Sequence, residues 1–154
     1  MRQLDGTGMK RLHRDWRRGT TARLSLVLDE VHGPFNVGAI IRTAAALRVE
    51  EVWLGGRTPE PDDGKVAKTA LGTDRYLTFH RAIDGISAVA AAKMAGYQVI
   101  GLELTDVAVP LHSIGVTPAT CLVVGHEDRG VPAATLEACD VVAYLPMLGR
   151  VGSL

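Results

Sequence analysis

Two short, nearly unbroken aliphatic runs near the C-terminus, CLVVG at 121–125 and VVAYL at 141–145, constrain the fold more than any other feature of this chain. Runs of that length without polar alternation suit strands covered on both faces, as in parallel sheets. Each run ends in a glycine-bearing segment, HEDRG after the first and PMLGRVGSL after the second. Open α/β sheets place ligands at the C-terminal ends of their strands, so this stretch reads as a small-molecule pocket built largely from backbone donors.

The rest of the chain fits the same plan. LSLVL at 24–28 reads as a first buried strand, closed by Gly33-Pro34. Asn36 is the expected N-cap of the next helix, whose apolar face is Ile40, Ile41, Ala44, Ala45 and Leu47, with Arg42 and Thr43 in its first two turns. A short strand over 51–54 precedes GGRTPEPDDG, a surface loop and the least ordered internal segment on composition. KVAKTAL at 65–71 reads as a short helix carrying two lysines, and 76–79 as a strand. An alanine-rich helix over 83–94 should turn Ile86, Val89, Ala90 and Met94 to one side and be capped by Gly96. QVIGLEL at 98–104 is the next strand, ending in a loop beside the end of the 121–125 strand. Strands alternating with helices predict a mostly parallel, doubly wound α/β sheet.

At 154 residues, with 47% apolar but only 5% aromatic residues, the chain suits one domain of that class. No run is long and apolar enough to span a bilayer, no targeting segment is evident, and Cys121 and Cys139 read as reduced structural thiols, so a cytoplasmic protein is expected. Formal charge sums to zero, yet residues 1–23 hold Arg2, Lys10, Arg11, Arg14, Arg17, Arg18 and Arg23 against Asp5 and Asp15. Such a basic arm, with His13 and Trp16 interleaved, is either a nucleic-acid contact or a solvated terminus. In the first reading Arg11, Arg14, Arg17 and Arg18 are the RNA-binding candidates.

Several chemistries lack their parts. There is no G-x-x-x-x-G-K-[ST] and no G-x-G-x-x-G after the first strand, which argues against a P-loop enzyme and an ordinary dinucleotide fold. The five histidines have no metal-ligand spacing with each other or the cysteines, so no metal is expected. No serine sits in G-x-S-x-G. What remains is an arginine near a helix start, a glutamate in a tight polar turn and a glycine-rich tail, which suits group transfer between bound partners driven by positioning.

Three stretches resemble the motifs of the SpoU (TrmH-like) branch of the SPOUT RNA methyltransferases, in the right order and separation. The first is Asn36-Val-Gly-Ala-Ile-Ile-Arg42-Thr43, the second Leu122-Val-Val-Gly125-His-Glu127-Asp-Arg-Gly130-Val, and the third Leu145-Pro-Met-Leu-Gly149-Arg-Val-Gly-Ser153-Leu154. The resemblance covers most of the chain from Leu24 onward.

It implies a parallel α/β sheet with a C-terminal trefoil knot, binding S-adenosylmethionine through Leu102, Glu103, Gly125, Leu145, Met147 and Leu154. The acceptor is a ribose 2′-hydroxyl of RNA, with tRNA favoured over rRNA by the short basic arm, and a non-catalytic RNA-binding module is the competing reading. Arg42 takes the place of the family's catalytic residue, as base or as aligning group, with Asn36 and Glu127 orienting it and Ser153 touching the acceptor. A homodimer is also implied. The family's third motif runs on through an asparagine into a final helix. This sequence stops at Leu154, so the methyltransferase domain is expected over 24–154 without that helix, which leaves completion of the knot open.

Overall fold

A computed structural model describes residues 2–149. Among them are five helices, α1 (Gly6–Arg18), α2 (Pro34–Ala46), α3 (Gly64–Ala70), α4 (Gly85–Met94) and α5 (Ala133–Ala138). Seven strands, β1 (Arg23–Asp29), β2 (Val49–Gly55), β3 (Thr78–Ala82), β4 (Gln98–Leu102), β5 (Val109–Pro110), β6 (Ala119–Val124) and β7 (Val141–Tyr144), form one sheet in the order β3-β2-β1-β6-β4-β7-β5. Every pairing is parallel. The two aliphatic runs near the C-terminus supply β6, at the centre of the sheet, and β7.

Side chains alternate across the sheet and divide the core in two. Leu26 and Leu28 of β1 face α2 and α3, joining Val37, Ile41, Val66 and Ala70, whereas Val27 points the other way to Ala88, Val89 and Ala92 of α4. Helices therefore cover both faces, as the doubly wound expectation requires. The chain steps outward from β1 to β3, returns to β4, and later fills in: β6 enters between β1 and β4, and β7 between β4 and β5. That order gathers the C-terminal ends of β1, β6, β4 and β7 at one place.

Several local expectations need correction. Asn36 is not the N-cap of α2: Gly33 is, with Pro34 opening the helix, so Asn36 lies inside the first turn with its amide free to reach elsewhere. Helix α4 buries Gly85, Ala88, Val89 and Ala92, while Ile86, Ala90 and Met94 of the expected face are exposed, Met94 to 90%. Close approach decides this register. A Cβ on Gly85 would overlap the carboxylate of Asp29, a buried group at the end of β1 that accepts a hydrogen bond from Thr135 Oγ1 at 2.7 Å. Burial pushes the Asp29 carboxyl up from its ordinary value.

The loop expected to be least ordered is fastened at its start, where fully buried Thr58 donates to Leu28 O at 3.0 Å and accepts from Val31 N at 3.1 Å. Residues 76–79 are split between a 3-10 turn, Asp74–Tyr76, and the start of β3. The basic arm is helical. Asp5 caps α1 by accepting from Gly8 N at 2.8 Å, and Arg17 and Arg18 fall in its last turn, where cations complement the helix dipole. No residue of α1 is buried. Arg48 reaches its end, donating to Arg17 O at 3.5 Å and Thr20 O at 3.3 Å.

Candidate functional site

The ends of β4, β6 and β7 and the flank of α2 enclose a cleft of about 660 Å³. Leu102, Glu103, Gly125, Leu145 and Met147, the five described donor-site candidates, all line it, together with Asn36 and Glu127. Leu154 and Ser153 lie outside the described residues. Leucine and methionine side chains and strand-end backbone dominate the lining, and carboxylates enter from two sides.

Each carboxylate holds a piece of the wall. The Glu127 Oε1 atom accepts from Gly33 N at 2.9 Å and from Asn36 Nδ2 at 2.9 Å, while Oε2 accepts from His32 N at 3.3 Å. One side chain of the β6–α5 loop therefore fixes the β1–α2 loop and the first turn of α2. Burial alone would raise this carboxyl. The Asn36 amide and the backbone N–H groups around it more than offset that, holding it at about 2. Across the cleft, Glu103 Oε2 accepts from Val131 N at 2.9 Å and Oε1 from Leu104 N at 3.0 Å.

Between these carboxylates the 125–131 loop folds back on itself. His126 N donates to Gly130 O at 3.1 Å and Gly130 N to His126 O at 2.8 Å. A Cβ on Gly125 would overlap the Gly130 carbonyl, and Gly130, at φ +68, would drive one into Glu103. Gly125 is thus required by close backbone approach and Gly130 by its left-handed backbone.

Arg42 is not in this cleft. It is exposed, has no hydrogen-bond or ion-pair partner among the described residues, and lines a second cavity of about 640 Å³ between α2 and α3. Neither Asn36 nor Glu127 contacts it, so the expected orienting contacts are absent among the described residues: both groups brace the loops instead. Ala39 lines both spaces, so the cleft and the Arg42 cavity adjoin along α2. Arg11, Arg14, Arg17 and Arg18 lie on α1, all exposed and outside both cavities.

Sequence reading missed His126, Arg129 and Tyr144 as parts of the cleft wall. Arg129, an exposed cation within HEDRG, was visible as a charge in a glycine-bounded turn; Tyr144 carried no local signal. Among the described residues no group of three or more His, Cys, Asp or Glu could hold a metal ion, and no helix is long and apolar enough to cross a membrane.

The cleft fits S-adenosylmethionine. Its volume is in the range for a molecule of that size, its apolar walls suit an adenine, and its strand-end backbone can read the ring edge. Comparison with known proteins points the same way. The model of the SpoU rRNA Methylase family matches residues 23–154. The tRNA (guanosine(18)-2′-O)-methyltransferase of Escherichia coli (strain K12) is 37% identical over 136 residues, 85% of this chain and 56% of that protein. The 23S rRNA (guanosine(2553)-2′-O)-methyltransferase RlmP of Bacillus subtilis (strain 168) is also 37% identical, over 87% of this chain and 53% of its own length. The AdoMet-bound rRNA methyltransferase from Sinorhizobium meliloti superposes with a TM-score of 0.78 at 28% identity, over 86% of this chain and 50% of that one. This chain spans about half the length of the curated relatives it matches.

Proposed function

The chain belongs to the SpoU rRNA Methylase family, and from that premise we propose that it transfers a methyl group from S-adenosylmethionine to a ribose 2′-hydroxyl of RNA, tRNA first. The observation that carries this reading is the convergence of Leu102, Glu103, Gly125, Leu145 and Met147, from three separate strand ends, on one cleft with Asn36 and Glu127. When bound there, S-adenosylmethionine would supply an electrophilic methyl on a sulfonium: the C–S bond breaks to leave a neutral thioether as the C–O bond forms, and the hydroxyl proton is released to solvent. Leu102, Leu145 and Met147 cover apolar surface, and the braced loops keep the wall fixed, so orientation rather than an activated side chain provides the acceleration. In this reading Arg42 holds RNA phosphate and aligns the acceptor, supported by its exposed position one helical turn beyond Ala39.

The 23S rRNA reading stands beside the tRNA one, because relatives named for each substrate are equally similar to this chain. A trefoil knot belongs to the proposal, supported by the entry of β7 between β4 and β5, two strands consecutive in the chain. So do a homodimer, a cytoplasmic location, and phosphate contacts by Arg11, Arg14, Arg17 and Arg18 along exposed α1.

Calorimetry with S-adenosylmethionine, followed by methyl transfer to unmodified tRNA and 23S rRNA transcripts with mapping of 2′-O-methylation, tests the reading. Donor binding with transfer to one transcript supports it. Donor binding and RNA binding without transfer would leave the binding-module reading in its place.

A further inference from the structure

The lysine pair of α3 has no part in the donor cleft. Lys68 and Leu71 from α3 face Arg42 and Leu47 from α2 across the second cavity. Its frame is fixed by close packing: a Cβ on Gly38 would overlap Thr69 Oγ1 and Val66 O, and Thr69 Oγ1 donates to Phe35 O at 3.1 Å. Arg42 and Lys68 are exposed, neither has a partner among the described residues, and no acidic side chain lines the space. Leu47 and Leu71 are 64% and 63% exposed. Leu71 also ends α3 in the left-handed region, at φ 53 and ψ 36, where glycine is the usual residue. A strained leucine held in solvent beside two unpaired cations makes an apolar platform next to an anion site.

We propose that this cavity seats the nucleotide adjoining the acceptor, its phosphate on Arg42 and Lys68 and its base against Leu47 and Leu71, with Lys68 a substrate-binding residue. This rests on the RNA methyltransferase reading. Splayed single-stranded RNA offers both parts, a phosphate and a π face, at one spacing. Continuity supports the choice, since Ala39 joins this cavity to the donor cleft. A second copy of the chain fits less well. A two-fold contact centred on this face would oppose the patch to itself, and the patch offers Arg42 and Lys68 no acid.

The test measures anisotropy of labelled, unmodified tRNA and 23S rRNA transcripts across a salt series for the parent, Lys68→Gln and Leu71→Gly, alongside donor calorimetry, steady-state transfer and sedimentation. Lys68→Gln should raise KM for RNA with kcat and donor affinity unchanged, and lower the salt slope by about one. Leu71→Gly should weaken RNA binding about fivefold, as loss of a partly buried aliphatic contact does, while Tm holds or rises, a pairing that a purely structural leucine would not give. Parent-like KM and salt slope in Lys68→Gln, from a parent that binds donor and transfers methyl, would overturn this proposal alone. Leu71→Gly that dissociates a dimer without weakening RNA binding would also overturn it, making the face a subunit contact. A parent that binds neither donor nor RNA would remove the methyltransferase reading and this proposal together.

Discussion

Asn36 and Glu127, 91 positions apart, meet through an Nδ2–Oε1 hydrogen bond of 2.9 Å that ties the β6–α5 loop to the first turn of α2. The same carboxylate takes the backbone N–H groups of His32 and Gly33. The first and second sequence motifs are thus one structural unit at the mouth of the cleft, and the glutamate fixes the shape of its wall. A Cβ at Gly33 would fall 2.6 Å from Glu127 Oε1, so the glycine is part of the same joint.

The joint has a pH signature. Glu127 sits at about 2 against an ordinary 4.5, so its folded value is depressed and its contribution to stability is present above about 4.5 and lost as pH falls toward 2. Glu127→Gln keeps one acceptor oxygen and removes the charge, which should cost about 1 kcal/mol at neutral pH. Denaturant melts of parent and variant at several pH values check this: the difference should shrink through the window from 4.5 to 2. A difference constant across that window would show that the charge is not what holds the loops.

Gly125 connects the fold to donor binding in a way its position at a strand end does not suggest. The resemblance implies Gly125 in donor binding, yet a side chain here would first meet the protein's own backbone at Gly130 and Val131. Gly125→Ala should therefore open the His126–Gly130 pairing and abolish measurable donor binding, with the sheet intact. Amide exchange checks it. Protection should fall at His126 and Gly130 and persist along β1 and β6, and parent-like protection at those amides would refute the account.

The sheet and its two helical layers were legible in the sequence because buried parallel strands leave unbroken aliphatic runs, and because Gly33-Pro34 and Gly96 mark their turns chemically. The face of α4 was not. Hydrophobicity chose Ile86 and Met94, whereas the sheet took Gly85, Ala88 and Ala92, since backbone approach to Asp29 outweighs side-chain transfer where a helix must sit close. Resemblance implied the donor-site residues one by one, and the five described ones line one cleft. The separation of Arg42 from Asn36 and Glu127 was illegible, because a motif gives spacing along a helix and not which side of that helix each residue faces. Asn36 and Arg42 lie six positions apart on α2, where successive residues advance by about 100°.

That separation sharpens what Arg42 can do. A guanidinium stays charged at any working pH, and here no carboxylate among the described residues pairs with it. With a free, planar donor set, its natural partner is an RNA phosphate gripped by two parallel hydrogen bonds, which an ammonium does not reproduce. Arg42→Lys should accordingly lose most single-turnover methyl transfer although the charge is kept, with donor affinity unchanged because Arg42 is outside the donor cleft. Arg42→Ala should lower the rate by a factor constant between about pH 6 and 9, since alignment by a guanidinium involves no proton transfer. If Arg42 instead took the proton of the 2′-hydroxyl, the parent rate would climb with pH and the Arg42→Ala residue of activity would follow a different profile. Full transfer by Arg42→Ala on RNA shown to bind would strip Arg42 of both roles and leave the adjoining cavity to Lys68 alone.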